Sequence, residues 1–281
     1  MKKKRVIAVH DISCIGRCSL TVALPIISAA GIETSVIPTA VLSTHTGGFS
    51  EFTYRDLTDD MCPIIEKWKK LGITTDAIYT GYLGSEKQLS IVENLISDFA
   101  KKDTFVLVDP VMGDAGKLYA TFDKSFVSGM KNLCKKADMI VPNLTEATMM
   151  LDEEYIADGY SEEYIKNILV KLSSLGPRYC VLSGVSFKPK TTGAYAYDKL
   201  ENKFTYYSTE LVEGFYHGSG DVFASALIGA FMNGKTVGES MKIAVDFTVD
   251  CIKETYKSGA DTRYGLDFEQ RLFGYIKTLK E

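Results

Sequence analysis

Residues 217–226 read HGSGDVFASA: two glycines around a serine, a carboxylate at once, then small and apolar residues with no helix breaker. A glycine-rich turn that feeds a helix leaves backbone N–H groups unpaired and pointing outward. Together with the helix dipole they make an anion site. Glycines let that backbone approach a phosphate and adopt conformations that side chains forbid. Gly218, Ser219 and Gly220 therefore suit a phosphate whose charge grows during transfer. Asp221 would repel a resting phosphate, which makes sense if it faces an incoming hydroxyl and accepts its proton. The plain alternative is that Ser219 or Asp221 caps the helix and the glycines only form its turn. Neither the P-loop pattern nor GxGxxG follows the first apolar run, so the ordinary nucleotide loops are absent.

Such a turn needs a scaffold, and the chain alternates between two kinds of segment. Short apolar runs read as buried strands at 5–10, 33–39, 76–82, 104–110, 138–143 and 179–184. Between them, 19–31, 56–72, 85–102 and 161–176 carry apolar residues at helical spacing and end near Gly or Lys. Residues 191–209 alternate like a hairpin that turns near 198–202. Two long helical patterns, about 219–233 and 236–257, then close the chain. Strands alternating with helices predict a parallel sheet covered on both faces. With no internal repeat, low-complexity segment or Pro/Gly/Ser linker, the 281 residues read as one domain.

In an open parallel sheet, ligands sit at the carboxyl ends of the strands. Those ends are polar here. The first strand ends in His10–Asp11, and the third runs into GYLGS with Tyr82. The fourth reaches Asp109 with Asp114 behind it, the fifth Asn143 with Glu146, and the sixth Ser183. Gly and Asn alone would be ordinary turn chemistry, so the carboxylates carry more weight.

Composition narrows the partners. Hydrophobic residues make up 46% and charged residues 24%, as in an ordinary soluble globular protein. The net charge of −4 offers no basic field for nucleic acid. MKKKR opens the chain, but His10 and Asp11 interrupt the following apolar stretch too early for a signal peptide. No run of about 18 apolar residues predicts a membrane span. The six cysteines form no CxxC pair, so neither a zinc site nor a disulfide frame is expected, and a reducing cytoplasm fits.

STHTGG (43–48), GYLGS (81–85), DPVMGD (109–114), PNLTEA (142–147) and GSGD (218–221) follow one another along the chain. This ordered set resembles the ribokinase-like superfamily and, within it, the pyridoxal kinases, over nearly the whole length. GSGD and the N-x-x-E of NLTE belong to the superfamily; GYLGS, DPVMGD and S-x-HTG point to the narrower family. The resemblance implies an α/β fold, a ribokinase-like three-layer α/β/α sandwich around a central, mostly parallel sheet. It also implies ATP-dependent phosphorylation of the hydroxymethyl group of a B6 vitamer, pyridoxal, pyridoxine or pyridoxamine.

The roles it implies fall on particular residues. Asp221 matches the general base, and the backbone of Gly218, Ser219 and Gly220 the hole for the γ-phosphoryl. Asn143 and Glu146 match a pair that organises Mg²⁺ and its waters. Asp109 matches an acidic residue on the nucleotide and cation side, and a monovalent cation such as K⁺ is left open. His45, Thr46, Gly47 and Tyr82 fall where the family meets the B6 ring. Thr209, Leu211 and Val212 fall where the adenine pocket begins. The family is commonly homodimeric. Two positions depart from its pattern: Asp11 stands where the first loop usually has a ring-contacting serine, and Ser183 where some relatives have a nucleotide-contacting lysine. Asp11 could bond a protonated pyridine nitrogen or the phenol. Hydroxymethylpyrimidine kinases also carry an Asp there, which keeps that activity, or another small-alcohol kinase of this fold, as an alternative. A nucleotide- or vitamin-binding protein without catalysis is the alternative of another class.

Other residues have plainer readings. His45 could pack or cap rather than act, and His217 reads as loop packing. Cys14 and Cys18 lie at the first loop, while Cys62, Cys134, Cys180 and Cys251 read as buried small hydrophobes. Trp68 reads as packing, and 198–203 as a solvated turn. Segment 45–58 reads equally as a flap over the substrate or as an ordinary surface loop.

Overall fold

The apolar runs assemble into one sheet. The computed structural model describes residues 3–281; Met1 and Lys2 of the basic opening lie outside the described residues. In chain order the elements are β1 (Arg5–Ile15), α1 (Leu20–Ala29), β2 (Glu33–Thr44), β3 (Tyr54–Asp56), α2 (Thr58–Lys70), β4 (Ala77–Thr80), α3 (Glu86–Phe99) and β5 (Phe105–Val108). Then come β6 (Gly113–Asp114), β7 (Lys117–Leu118), α4 (Lys124–Cys134), β8 (Met139–Ile140), α5 (Leu144–Leu151), α6 (Glu162–Ser174) and β9 (Tyr179–Ser183). The hairpin β10 (Thr191–Asp198) and β11 (Lys203–Glu210) precedes α7 (Ser219–Met232), α8 (Val237–Ser258) and α9 (Leu272–Lys280).

The nine-stranded sheet has the order β11-β10-β9-β8-β5-β4-β1-β2-β3. Its six central strands are parallel, and β10, β11 and β3 run antiparallel at the two edges. The order of successive strands turns back at β1, which pairs in parallel with β2 on one side and β4 on the other; an open α/β sheet binds ligands at such a switch point.

Alternation along each strand sorts the core into two layers. Ile7, Val9, Ile78, Val108, Ile140 and Leu182 pack with residues of α2, α3, α4, α5 and α6. Val6, Tyr79, Leu107, Met139 and Val181 pack with α1, α7, α8 and Tyr275 of α9. The result is the three-layer sandwich that the resemblance implies. Helix ends follow local chemistry: Ser85 caps α3 by accepting the N–H of Gln88, and Thr236 with Glu239 forms a capping box on α8.

The structure adds or corrects some elements. The periodicity of 236–257 does not end the helices, because α9 follows and its Tyr275 hydroxyl donates to Ala226 O on α7. Helices α4 and α5 fill two connections not read as helical. Segment 45–58 ends in a short edge strand, β3, paired with β2. Cys62 is exposed, contrary to expectation, because it lies on the outer face of α2; Cys134, Cys180 and Cys251 are buried as expected. Trp68 packs on the core from a partly buried position, and the turn after Asp198 is solvated.

Candidate active site

The carboxyl ends of β5, β8 and β9 and the start of α7 enclose a cavity of about 370 Å³. Asp109, Asn143, Glu146, Ser183 and the 217–221 turn line it. A recess of about 230 Å³ adjoins it and is lined by Leu211, Val212, Gly214 and Tyr216.

At the turn, Gly218 is the N-cap residue of α7, with φ 73° and ψ 2°. A Cβ there would overlap the carbonyl oxygen of Arg17, so both conformation and space demand glycine. A Cβ on Gly220 would meet nothing within 4 Å. The first N–H groups of α7 have no intrahelical partner and border the cavity, as an anion site requires.

Asp221 follows in the first turn. Its Oδ2 accepts the N–H of Ser19 at 2.9 Å, which ties α7 to the first loop. Burial pushes this carboxyl up from the ordinary 3.8 to about 7; the Ser19 bond pulls it down and the Asp11 carboxylate pushes it up. Asp11, on the base's other side, is buried and also held high by burial, with bonds from Ser19 and Ser13 and the nearby His45 opposing. The β1–β2 ladder shifts register there: His10 pairs with Pro38, but Ile12 with Val41. Such irregularities re-aim side chains at sites. Tyr82, raised by burial, and Tyr54 both feel the Asp11 charge, so β4's loop and β3 bring rings near Asp11. Tyr82 packs against Phe122, centroids 5.6 Å apart. Neighbouring His10 is fully buried edge-on against Tyr79, and burial lowers it to about 3, so it is a neutral packing residue.

Asn143 and Glu146 form a capping box on α5: Asn143 Oδ1 accepts the N–H of Glu146, and Glu146 Oε2 accepts the N–H of Asn143, each at 2.9 Å. Glu146 Oε1 also accepts the N–H of Met112, and Asn143 Nδ2 donates to Gly113 O. Both side chains are thus spent on backbone, which differs from a set aimed directly at a metal. Among the described residues, no group of three or more His, Cys, Asp or Glu is arranged to hold a bare ion. Each carboxylate oxygen keeps a further lone pair for water. Burial raises Asp109 well above its usual range, with Glu146 and Asp221 adding to it, and burial raises Glu146 too. Crowded hard oxygens without a compensating cation are a donor set that fits hydrated Mg²⁺.

The remaining expected residues divide. His45 is occupied on both nitrogens: Nδ1 accepts the N–H of Gly47 at 3.1 Å, and Nε2 donates to Arg263 O. These bonds make it a clamp on the turn, and its ring stands 4.8 Å from that of His217. Thr46 is exposed at the turn's tip, and Gly47 lies so close to His217 that a Cβ would meet the ring at 2.6 Å. Ser183 lines the cavity, and its N–H donates to Pro142 O. Thr209 pairs with Thr192 across the hairpin and lines neither cavity, so only Leu211 and Val212 of that trio reach the recess. The sequence reading missed Val245, Val249 and Ile252 of α8, which form an apolar wall, and Ser19, which holds Asp221. The wall's i, i+4, i+7 spacing is visible, but it is the same signal that a core face gives.

Residues 26–264 match the family model described as phosphomethylpyrimidine kinase. A Bacteroides thetaiotaomicron protein assigned as a phosphomethylpyrimidine kinase and crystallised with pyridoxal is 41% identical, with a TM-score of 0.93 over 98% of this chain and 96% of its own. A pyridoxal kinase from Lactobacillus plantarum is 26% identical with a TM-score of 0.89, over 99% of this chain and 98% of its own. A hydroxymethylpyrimidine/phosphomethylpyrimidine kinase of Aquifex aeolicus is 26% identical over 182 residues, 64% of this chain and 68% of that protein.

Proposed function

Because the chain belongs to the phosphomethylpyrimidine kinase family and is an ATP-dependent kinase of ribokinase-like fold, we propose that it phosphorylates the hydroxymethyl group of a vitamin B6 vitamer. The observation that carries this reading is the junction at Asp221. On one side stands the anion site of α7; on the other stands the buried carboxyl of Asp11, whose charge reaches both Asp221 and Tyr82. Pyridoxal bound to the Bacteroides relative supports a B6 ring beside Asp11.

The chemistry follows from the placement. The apolar wall of Val245, Val249 and Ile252 would take the base of ATP, and the α7 turn its phosphates. The acceptor hydroxyl gives its proton to the Asp221 carboxylate as its oxygen bonds to the γ-phosphorus, and the bond from that phosphorus to the β-bridging oxygen breaks to release ADP. The N–H groups at 218–220 take up the charge on the transferring group. Asp109, Glu146 and Asn143 would hold Mg²⁺ through its waters, and the ion would neutralise phosphate charge. His45 fixes the 45–47 turn by its bonds to Gly47 and Arg263.

The protonation of Asp221 sets a pH dependence. A base must be ionised, and burial holds this one near 7, so kcat/KM is expected to climb as pH rises through about 7 and then level. A profile flat from pH 5.5 to 8.5 removes Asp221 from the base role.

The test of the function is ADP release with Mg-ATP on pyridoxal, pyridoxine, pyridoxamine, hydroxymethylpyrimidine and several sugars, for the wild type and Asp11→Ser. Turnover on a B6 vitamer, with a changed vitamer order in the variant, is the expected result. Turnover on hydroxymethylpyrimidine alone would favour the second reading, which rests on the Aquifex relative and on Asp11. No turnover on any alcohol would leave a binding protein.

A further inference from the structure

Residues 261–269, between α8 and α9, run as a strap of two short turns behind the first loop. Arg17 stands at the middle of the contact. Its N–H donates to Tyr264 O at 2.9 Å, and it bridges to Gly265. Its guanidinium forks onto the strap, Nη1 to Asp267 at 2.9 Å and Nε to Glu269 at 2.7 Å. Asp267 is anchored in turn, accepting the Ser258 hydroxyl at 2.7 Å and giving its own N–H to Thr255 on α8. The Arg17 carbonyl oxygen lies between two glycines in the left-handed region: a Cβ on either Gly218 or Gly265 would overlap it. Two residues on, Ser19 gives its N–H to Asp221. The strap also accepts His45 Nε2–H at Arg263 O, and the Arg263 guanidinium lies over Phe49, 5.5 Å from its centroid.

We propose that Arg17 is a positioning residue for phosphoryl transfer: its fork with Asp267 and Glu269 fixes the first loop against the strap and so holds Ser19, the Gly218 turn and Asp221 in register. The inference rests on the kinase reading above. The side chains of Arg17, Asp267 and Glu269 are 32%, 17% and 52% exposed. Exposed pairs of this kind add little to folding stability. Small displacements of a reacting group, however, lower rates steeply. The fork sits one packed layer behind the site, and Arg17 is not among the residues lining either cavity. Its loss should therefore appear in the catalytic step and not in nucleotide binding.

The experiment compares the full-length wild type with Arg17→Ala, Arg17→Lys and the double variant Asp267→Asn/Glu269→Gln. It measures kcat and KM for ATP and acceptor, together with amide hydrogen exchange of the ligand-free proteins. Expected for Arg17→Ala are a kcat lower by about 10- to 100-fold, a KM for ATP within about twofold, and faster exchange at the bonded amides 17–19 and at Val222, whose N–H donates to Gly218 O. Arg17→Lys, which keeps the charge but not the fork, should fall between. Unchanged kcat and exchange in Arg17→Ala overturns the proposal. If Arg17→Ala is poorly folded, the double variant decides, since it leaves Arg17 in place: the same split supports the proposal, and wild-type behaviour refutes it. If the wild type turns over no alcohol, the functional reading fails, and exchange at 17–19 and Val222 still decides the role of Arg17.

Discussion

Asp221→Asn is expected to lower kcat by about 10²- to 10⁴-fold while ATP affinity stays within a few fold of wild type. Asparagine has nearly the same shape, and its carbonyl oxygen can still accept the N–H of Ser19, so the turn keeps its geometry. It cannot take a proton from an alcohol. Steady-state ADP release and a nucleotide titration separate the two quantities, and unchanged turnover would refute the assignment. The same substitution makes a stability prediction of definite sign. The folded-state pKa is raised, so this group favours folding below the ordinary carboxylate range, and that contribution is lost as pH rises from about 4 through about 7. The variant has no such loss. Its melting temperature should therefore equal or exceed the wild type's at pH 8, and the difference should shrink toward pH 5.

The glycines at 218 and 220 should fail in different ways. Gly220→Ala adds a methyl group that meets no protein atom, so the variant should fold normally. The methyl group enters the space where the phosphoryl group must approach backbone N–H groups, and kcat should fall by about 10²-fold or more. Gly218→Ala places a Cβ in a left-handed conformation and against the Arg17 carbonyl. Strain and overlap should lower the melting temperature as well as activity. Thermal melts beside kinetics read the contrast. Equal loss of stability in both variants, or full activity in Gly220→Ala, would contradict an anion hole here.

Much of this site was legible because strand ends and a glycine turn are local signals. GSGD announces the turn from composition alone, and its conformation needs what glycine supplies. The central strands are apolar runs because both their faces are covered. What escaped reading depends on partners distant in sequence. NLTE also fits the capping-box pattern, and only the structure shows Asn143 and Glu146 spending their polar atoms on backbone. Val249 and Ile252 look like core, and it is the hairpin and the 214–216 loop opposite them that open a recess. The role of Ser19 is a backbone N–H, which no side-chain pattern can reveal. Cys62 was misplaced because small-residue statistics say nothing about which side of α2 faces the sheet. Helix α4 was legible and went unread: Phe126, Met130, Leu133 and Cys134 recur on one buried face at helical spacing.

The bond from Ser19 to Asp221 spans 202 residues. A ribosome releases the early part first, but one face of the central strands, with Val6 and Tyr79, packs against α7 and α8. Contacts this remote form late, after the intervening chain has been ordered. The sheet that carries Asp11 is therefore covered on that face only when the helix that brings Asp221 has docked. One folding event completes both the acceptor side and the reactive turn, so no separate inhibitory segment is needed to keep an unfinished chain from spending nucleotide.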